Sequence, residues 1–240
     1  MRVVVALSLV LSACTARADS PCRAEHVDGV AYTICSFAPT DSFRLFHSNA
    51  DGEIYGDFDT LNADLAGQGA ILLFAMNAGM YHRDRAPVGL YVENGMERSP
   101  LSTSEGPGNF HMRPNGVLAI ARDGRVSVVD TRDYPAVADT VSHATQSGPM
   151  LVINGKLHPR FLADGTSRKI RNGVGVDADG RVHFAKSEDP VNFHGFATLF
   201  RDHLDTDNAL YLDGTISRLF IAGERNDPGA PMGPIVGVVE

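Results

Sequence analysis

Apolar positions in this chain fall into short runs, and most runs stop at an Asn-Gly or Asp-Gly pair. Residues 117–121 lead to Asp123-Gly124 and then to the apolar return 126–129. Val174-Gly175-Val176 leads to Asp179-Gly180 and Val182-His183-Phe184, while Met150–Ile153 ends at Asn154-Gly155 and 88–92 just before Asn94-Gly95. An Asx-Gly pair supplies the positive φ angles of two-residue hairpin turns, so each unit predicts a strand, a tight turn and a return strand. Further strands are expected at 31–34, Phe43–Phe46, the continuous apolar run 71–76, 209–212, Leu219–Ile221 and Ile235–Val239.

Two segments follow a helical period instead. Phe58, Leu61 and Leu65 share one face ahead of Gly67, which is expected to close the helix. Phe193, Phe196, Ala197, Phe200 and Leu204 repeat every 3.6 residues, with Asn192 placed to cap the start. The expected fold class is α+β: mixed, mainly antiparallel β-sheets with two or more flanking helices, and one crossover through the second helix. No internal repeat or linker appears, so a single domain is expected.

Composition supports a chain that buries a core. Of 240 residues, 43% are hydrophobic, which excludes disorder and collagen-like repeats. Lys plus Arg is 21 against 29 for Asp plus Glu, a net charge of -8, so a basic nucleic-acid-binding surface is not expected. Ten of the 24 glycines follow Asn or Asp, in keeping with a β-rich chain.

The N-terminus reads as an export signal. Met1-Arg2 precedes the apolar run 3–13, which is too short to span a bilayer. Ala16-Arg17-Ala18 fits signal-peptidase cleavage, making 1–18 the signal peptide and 19–240 the mature domain. The alternative, Leu11-Ser12-Ala13-Cys14, resembles a bacterial lipobox and would leave a lipid anchor on Cys14. Either way the expected location is exported, periplasmic or secreted, with no transmembrane segment in the mature chain. Cleavage after Ala18 leaves Cys22 and Cys35, expected to pair as a structural disulfide in an oxidising compartment.

Familiar catalytic signatures are missing: no Walker loop, no Gly-x-Ser-x-Gly elbow and no His-Glu-x-x-His. The nine histidines show no metal-ligand spacing, so no metal site and no cofactor are assigned. A divalent cation at the turn Asp177 to Gly180 lacks the ligand spacing of a known calcium loop. What remains is a set of polar residues at strand ends: Asn77 and Gly79, Asn115, Gln146 and Ser147, Arg171 and Asn172, and Asp213, Gly214 and Ser217. Each alone is ordinary turn chemistry. Together they form a polar floor suited to a sugar or a phosphate, with Arg171 able to grip phosphate oxygens and Asp213 as the carboxylate.

These blocks resemble the phosphodiester glycosidase family, typified by the lysosomal uncovering enzyme, and look closest to its bacterial exported branch. The matching segments occur in order: Asn77 to Tyr81 with Pro87 to Leu90, Gly108 to Gly116, Thr145 to Leu151, Arg171 to Gly175, and Leu210 to Ser217. The resemblance implies hydrolysis of a sugar-1-phosphodiester in envelope or extracellular glycans, with a phosphorylated glycan as partner. It places Asp213 and Arg171 in catalytic roles. Asn77, Gly79, Asn115, Gln146, Ser147, Asn172, Gly214 and Ser217 would bind substrate. A second carboxylate is not singled out among Asp84, Glu105, Glu188 and Asp189. Ala78 and Thr215 stand where the family motifs carry glycine, each adding a Cβ where backbone is expected to approach ligand. The competing expectation is a non-catalytic carbohydrate- or envelope-polymer-binding protein on the same scaffold.

Overall fold

The apolar runs become the strands of three sheets in the computed structural model, which describes residues 20–240. The signal peptide and Cys14 lie outside the described residues. Seven strands build the largest sheet, in the spatial order β1 (Cys22–Val27), β2 (Val30–Phe37), β13 (Val182–Ser187), β12 (Asn172–Asp177), β14 (Thr206–Asp213), β10 (Met150–Ile153) and β11 (Lys156–Leu157). A second sheet runs β16 (Arg225–Asn226), β15 (Leu219–Ile221), β4 (Leu72–Asn77), β17 (Ile235–Val239) and β3 (Phe43–Phe46). The third runs β6 (Met96–Ser99), β5 (Tyr91–Glu93), β9 (Val141–Ser147), β7 (Gly116–Ala121) and β8 (Val126–Asp130).

The expected α+β class stands, and its antiparallel character extends to every ladder between these strands. All four hairpins expected at Asn94-Gly95, Asp123-Gly124, Asn154-Gly155 and Asp179-Gly180 form, joining β5 to β6, β7 to β8, β10 to β11 and β12 to β13. β5 starts at Tyr91 rather than at residue 88, because Gly89 turns the chain at φ 78°. The crossover also appears: β13 and β14 both lie antiparallel to β12, so they run parallel to each other, linked by α2 (Phe193–Thr198).

Strand alternation distributes the side chains. Phe37, Leu45, Phe74, Leu118, Phe184 and Leu210, drawn from all three sheets, meet in one central core. The outer face of the seven-stranded sheet packs Ile34, Leu151 and Tyr211 against Phe196 and Phe200 of the α2 segment. Asn192 caps that helix by accepting from the Gly195 N–H at 2.8 Å, and a single π turn, Leu199–His203, extends it. The helix α1 (Phe58–Gly67) covers the second sheet through Phe58, Leu61 and Leu65, with Asp57 accepting from the Thr60 N–H. Its stop is Gly69 rather than Gly67. Gly69 takes φ 76°, and the Gly69 and Ala70 N–H groups bond back to Ala66 and Leu65, the paired bonds of a Schellman motif.

Cys22 and Cys35 are bonded, and they face each other across the β1–β2 ladder as direct partners. Among the described residues, no helix is long and apolar enough to cross a membrane.

Candidate functional site

The three sheets bring one polar strand end each to a common point. Asn77 closes β4, Ser147 closes β9, and Asn172 and Asp213 sit side by side at the ends of β12 and β14. Asn172 Nδ2 donates to Asn77 Oδ1 at 2.6 Å, and the Arg218 N–H donates to the same oxygen at 3.0 Å. Asn172 Oδ1 in turn accepts from the Asp213 N–H at 2.9 Å. Ser147 Oγ donates to the Leu212 carbonyl at 2.9 Å, tying the third sheet to β14 one residue before Asp213. Asn77, Ser147 and Asn172 are fully buried, so this relay is a fixed frame rather than a surface cluster. Asn77 Nδ2 is buried and meets no acceptor among the described residues.

Asp213, the carboxylate expected from the sequence, is tied to this frame through its backbone N–H. Its Oδ1 accepts from the Gly214 and Thr215 N–H groups at 2.6 and 2.8 Å. Burial raises its carboxyl above the ordinary carboxylate range, against the opposing pull of the Thr215, Gly214 and Ile216 N–H groups. The residues that follow it, Gly214 and Thr215, line a cavity of about 360 Å³ together with Ile170, Lys186, Ser217 and Asp227; Asp213 itself, 8% exposed, lies behind that lining. Ser217 Oγ reaches the Asp213 and Ile170 carbonyls at 3.3 and 3.4 Å, closing the loop that forms the floor. Lys186 brings an ammonium to the wall, 2.9 Å from Glu188 and 3.3 Å from Asp227. Arg225 pairs with the same two carboxylates at 2.6 Å each. For Glu188, burial alone would raise the carboxyl, but hydrogen bonds from Arg225, Thr33 and Lys186 outweigh it and hold the pKa at about 2.

Several expected site residues point elsewhere, for a reason of strand geometry. Successive side chains on a strand face opposite sides, so neighbours in sequence part company. Asn172 faces the relay, but Arg171 faces α2: its Cζ lies 3.7 Å from the Phe193 ring centroid, and Nε and Nη2 donate to the Val191 and Ser167 carbonyls. Its link to the site is indirect, from Nη1 to the Tyr211 hydroxyl at 3.3 Å. A Cβ on Gly214 would run into that hydroxyl, so the glycine permits the close approach.

The same alternation separates Gln146 from Ser147. Gln146 accepts from the Leu90 and Ser102 N–H groups and donates to the Ser102 carbonyl and Thr131 Oγ1, which uses both ends of its amide to anchor the 102 loop. Asn115 donates to the Phe110 carbonyl and lines a different cavity of about 330 Å³ with Arg113, Asp130 and Arg132. Gly79, at φ 136°, is buried against Thr145 and Ser147 behind the relay. Ala78 sits in the central core, so its methyl does not face the cavity, whereas Thr215 lines it.

None of the four carboxylates weighed as a second acid stands free in the cavity. Glu188 is locked in its ion cluster, Asp189 accepts from the Ala31 N–H, Asp84 from the Ala86 N–H, and Glu105 is exposed beside Arg113. Asp177 accepts from the Asp179 and Arg181 N–H groups within its hairpin. Lys186, Tyr211 and Asp227 escape a motif-based reading. Lys186 has one sequence signal, a lysine on the alternation Val182, Phe184, Lys186, and it is buried at 7% exposure.

Comparison with known proteins follows the same lines. The profile of a family described as phosphodiester glycosidase matches residues 71–239. The uncharacterized protein YigE of Escherichia coli strain K12 is 37% identical over 222 residues, covering 92% of this chain and 85% of that one. Among solved structures, the zebrafish N-acetylglucosamine-1-phosphodiester alpha-N-acetylglucosaminidase catalytic domain, auto-inhibited by its pro-peptide, superposes with a TM-score of 0.61. That match has 14% identity and covers 90% of this chain and 81% of the other. A putative exported protein from Burkholderia pseudomallei K96243 gives 0.59 at 11% identity, over 87% and 74% of the two chains. At these identities the structural matches show a shared fold.

Proposed function

The chain belongs to the phosphodiester glycosidase family, and from that premise we propose that it is an exported hydrolase that cleaves a sugar-1-phosphodiester at the sugar–phosphate linkage. The observation that supports this reading is the buried relay Asn77–Asn172–Asp213, which fixes the Asp213 backbone next to Gly214 and Thr215 in the wall of a cavity of about 360 Å³.

Asp213 supplies the carboxylate, attacking the anomeric carbon directly or through a water, as carboxylates do in glycoside hydrolysis. A departing phosphate monoester is a good leaving group and needs little protonation, so one carboxylate is sufficient for bond cleavage. Lys186, which lines the cavity while Arg171 packs on Phe193, takes the charge-stabilising role first expected of Arg171. Arg171 acts at one remove by holding Tyr211 beside Gly214. Thr215 and Ser217 offer hydroxyls to the sugar. Export rests on the leader-like first 18 residues, together with the Cys22–Cys35 bond.

A panel of sugar-1-phosphodiesters, assayed for free sugar and phosphomonoester, tests the reading. Wild type should turn over at least one, Asp213→Asn should lose about 10³-fold in kcat, and Lys186→Ala about 10²-fold. Binding without turnover across the panel would favour the non-catalytic carbohydrate-binding protein instead.

A further inference from the structure

A third cavity, of about 270 Å³, takes no part in the chemistry above. Asp28 and Tyr32 reach it from the β1–β2 hairpin, Arg168 from the loop before β12, and His194 and Leu199 from the α2 segment. The linings of this cavity and of the one at Gly214 and Thr215 come within two residues of each other in sequence, at Arg168 and Ile170. Lys169 bridges to Val191, so the chain is extended there, and residues 168 and 170 present their side chains on one side, roughly 7 Å apart. Ile170 opens onto the cavity at Gly214 and Arg168 onto this one.

The lining has the groups a charged sugar needs. Tyr32 is 3% exposed and lines the cavity. Burial, with Asp28 and Asp189 nearby, pushes that phenol up to about 12, so it is a neutral donor at physiological pH. Arg168 forms no hydrogen bond or ion pair among the described residues, and its exposed guanidinium is free for an anion. Asp28 adds an acceptor for hydroxyls.

We propose that this cavity is a subsite for the next unit of a sugar-phosphate chain. The unit being released occupies the cavity at Gly214 and Thr215, Arg168 holds the following phosphate, and Tyr32 and Asp28 bind the following sugar. The proposal rests on the hydrolase reading for cleavage, and it makes the substrate a polymer or oligomer rather than an isolated diester.

Two measurements test it. The first compares kcat/KM for a methyl diester of a sugar-1-phosphate with that for a trimer of sugar-phosphate repeats. Wild type should favour the trimer by about tenfold or more. Arg168→Ala and Tyr32→Phe should raise KM for the trimer about tenfold and threefold, leaving the methyl diester within twofold. Tyr32→Phe keeps the ring that stacks on Phe196, so the fold is preserved. Equal rates on both substrates in wild type, or equal losses on both in the variants, would overturn the proposal.

The second is calorimetric binding of the trimer to Asp213→Asn protein, where Arg168→Ala should weaken binding by a similar factor. This readout needs no turnover. If no substrate is cleaved but the trimer binds through Arg168, the hydrolase reading falls and the subsite stands; trimer binding indifferent to Arg168 and Tyr32 removes the subsite alone.

Discussion

At Asp213 the ionised carboxylate that the proposed reaction needs carries a cost in stability. Burial raises its folded-state pKa above the value of an unfolded aspartate near 4, so the folded chain keeps the proton to higher pH. The cost to stability is therefore absent below the unfolded value near 4, grows as pH rises from there, and is complete above the folded pKa. Asp213→Asn retains an oxygen for the Gly214 and Thr215 N–H groups and carries no charge. It should melt at a higher temperature than wild type at pH 7, with the gain shrinking as pH falls toward 4 and gone below it, as calorimetry across that range would show. For the reaction the same shift acts in the opposite sense. A carboxylate that must be ionised gives a rate that falls as pH drops, and the acidic limb of the pH–rate profile should lie above that of an ordinary aspartate. Lys186 predicts a different profile: Lys186→Ala should lower kcat at every pH without moving that limb.

At the scale of elements, most of the architecture was legible in the sequence because turns and periodicity are local. Asp123-Gly124 between two alternating runs leaves few alternatives to a hairpin, and Asn192 before a 3.6-residue repeat leaves few to a helix start. Gly67 and Gly69 show the limit of that reading. Both follow the last apolar residue of α1, but only backbone geometry separates them: Gly67 is still helical, while Gly69 carries the positive φ. Gly69→Ala should cost about 1 kcal/mol, and Gly67→Ala should be neutral or stabilising by up to about 1 kcal/mol, as chemical denaturation would resolve. The site was legible in the same uneven way. Asn77, Asn172 and Asp213 stand out as Asx residues at strand ends, and they do meet. Arg171 and Gln146 sit one residue from site neighbours and face away, which a strand's alternation makes readable only once its register is known. Lys186 joins the cavity through a sheet pairing, Lys186 against Thr33, that no local pattern encodes.

The whole molecule is held at its centre by three sheets and at its margin by a single covalent link. The central core takes side chains from every sheet. At one edge of the seven-stranded sheet, β1 is paired only with β2, and its residues are largely exposed. The Cys22–Cys35 bond closes a short loop across that pair. Replacing both cysteines by serine should cost about 3 kcal/mol and lower Tm by several degrees, while leaving the relay at Asn77, Asn172 and Asp213 in place. Beyond stability, the bond acts as a guard on a sticky margin. With β1 peeled back, the row of backbone N–H and C=O groups along β2 lies open to any neighbouring copy, a template for edge-to-edge aggregation. The chain made in a reducing cytosol should therefore clump in proportion to its concentration, and light scattering should show the clumping cease once oxidation seals the hairpin.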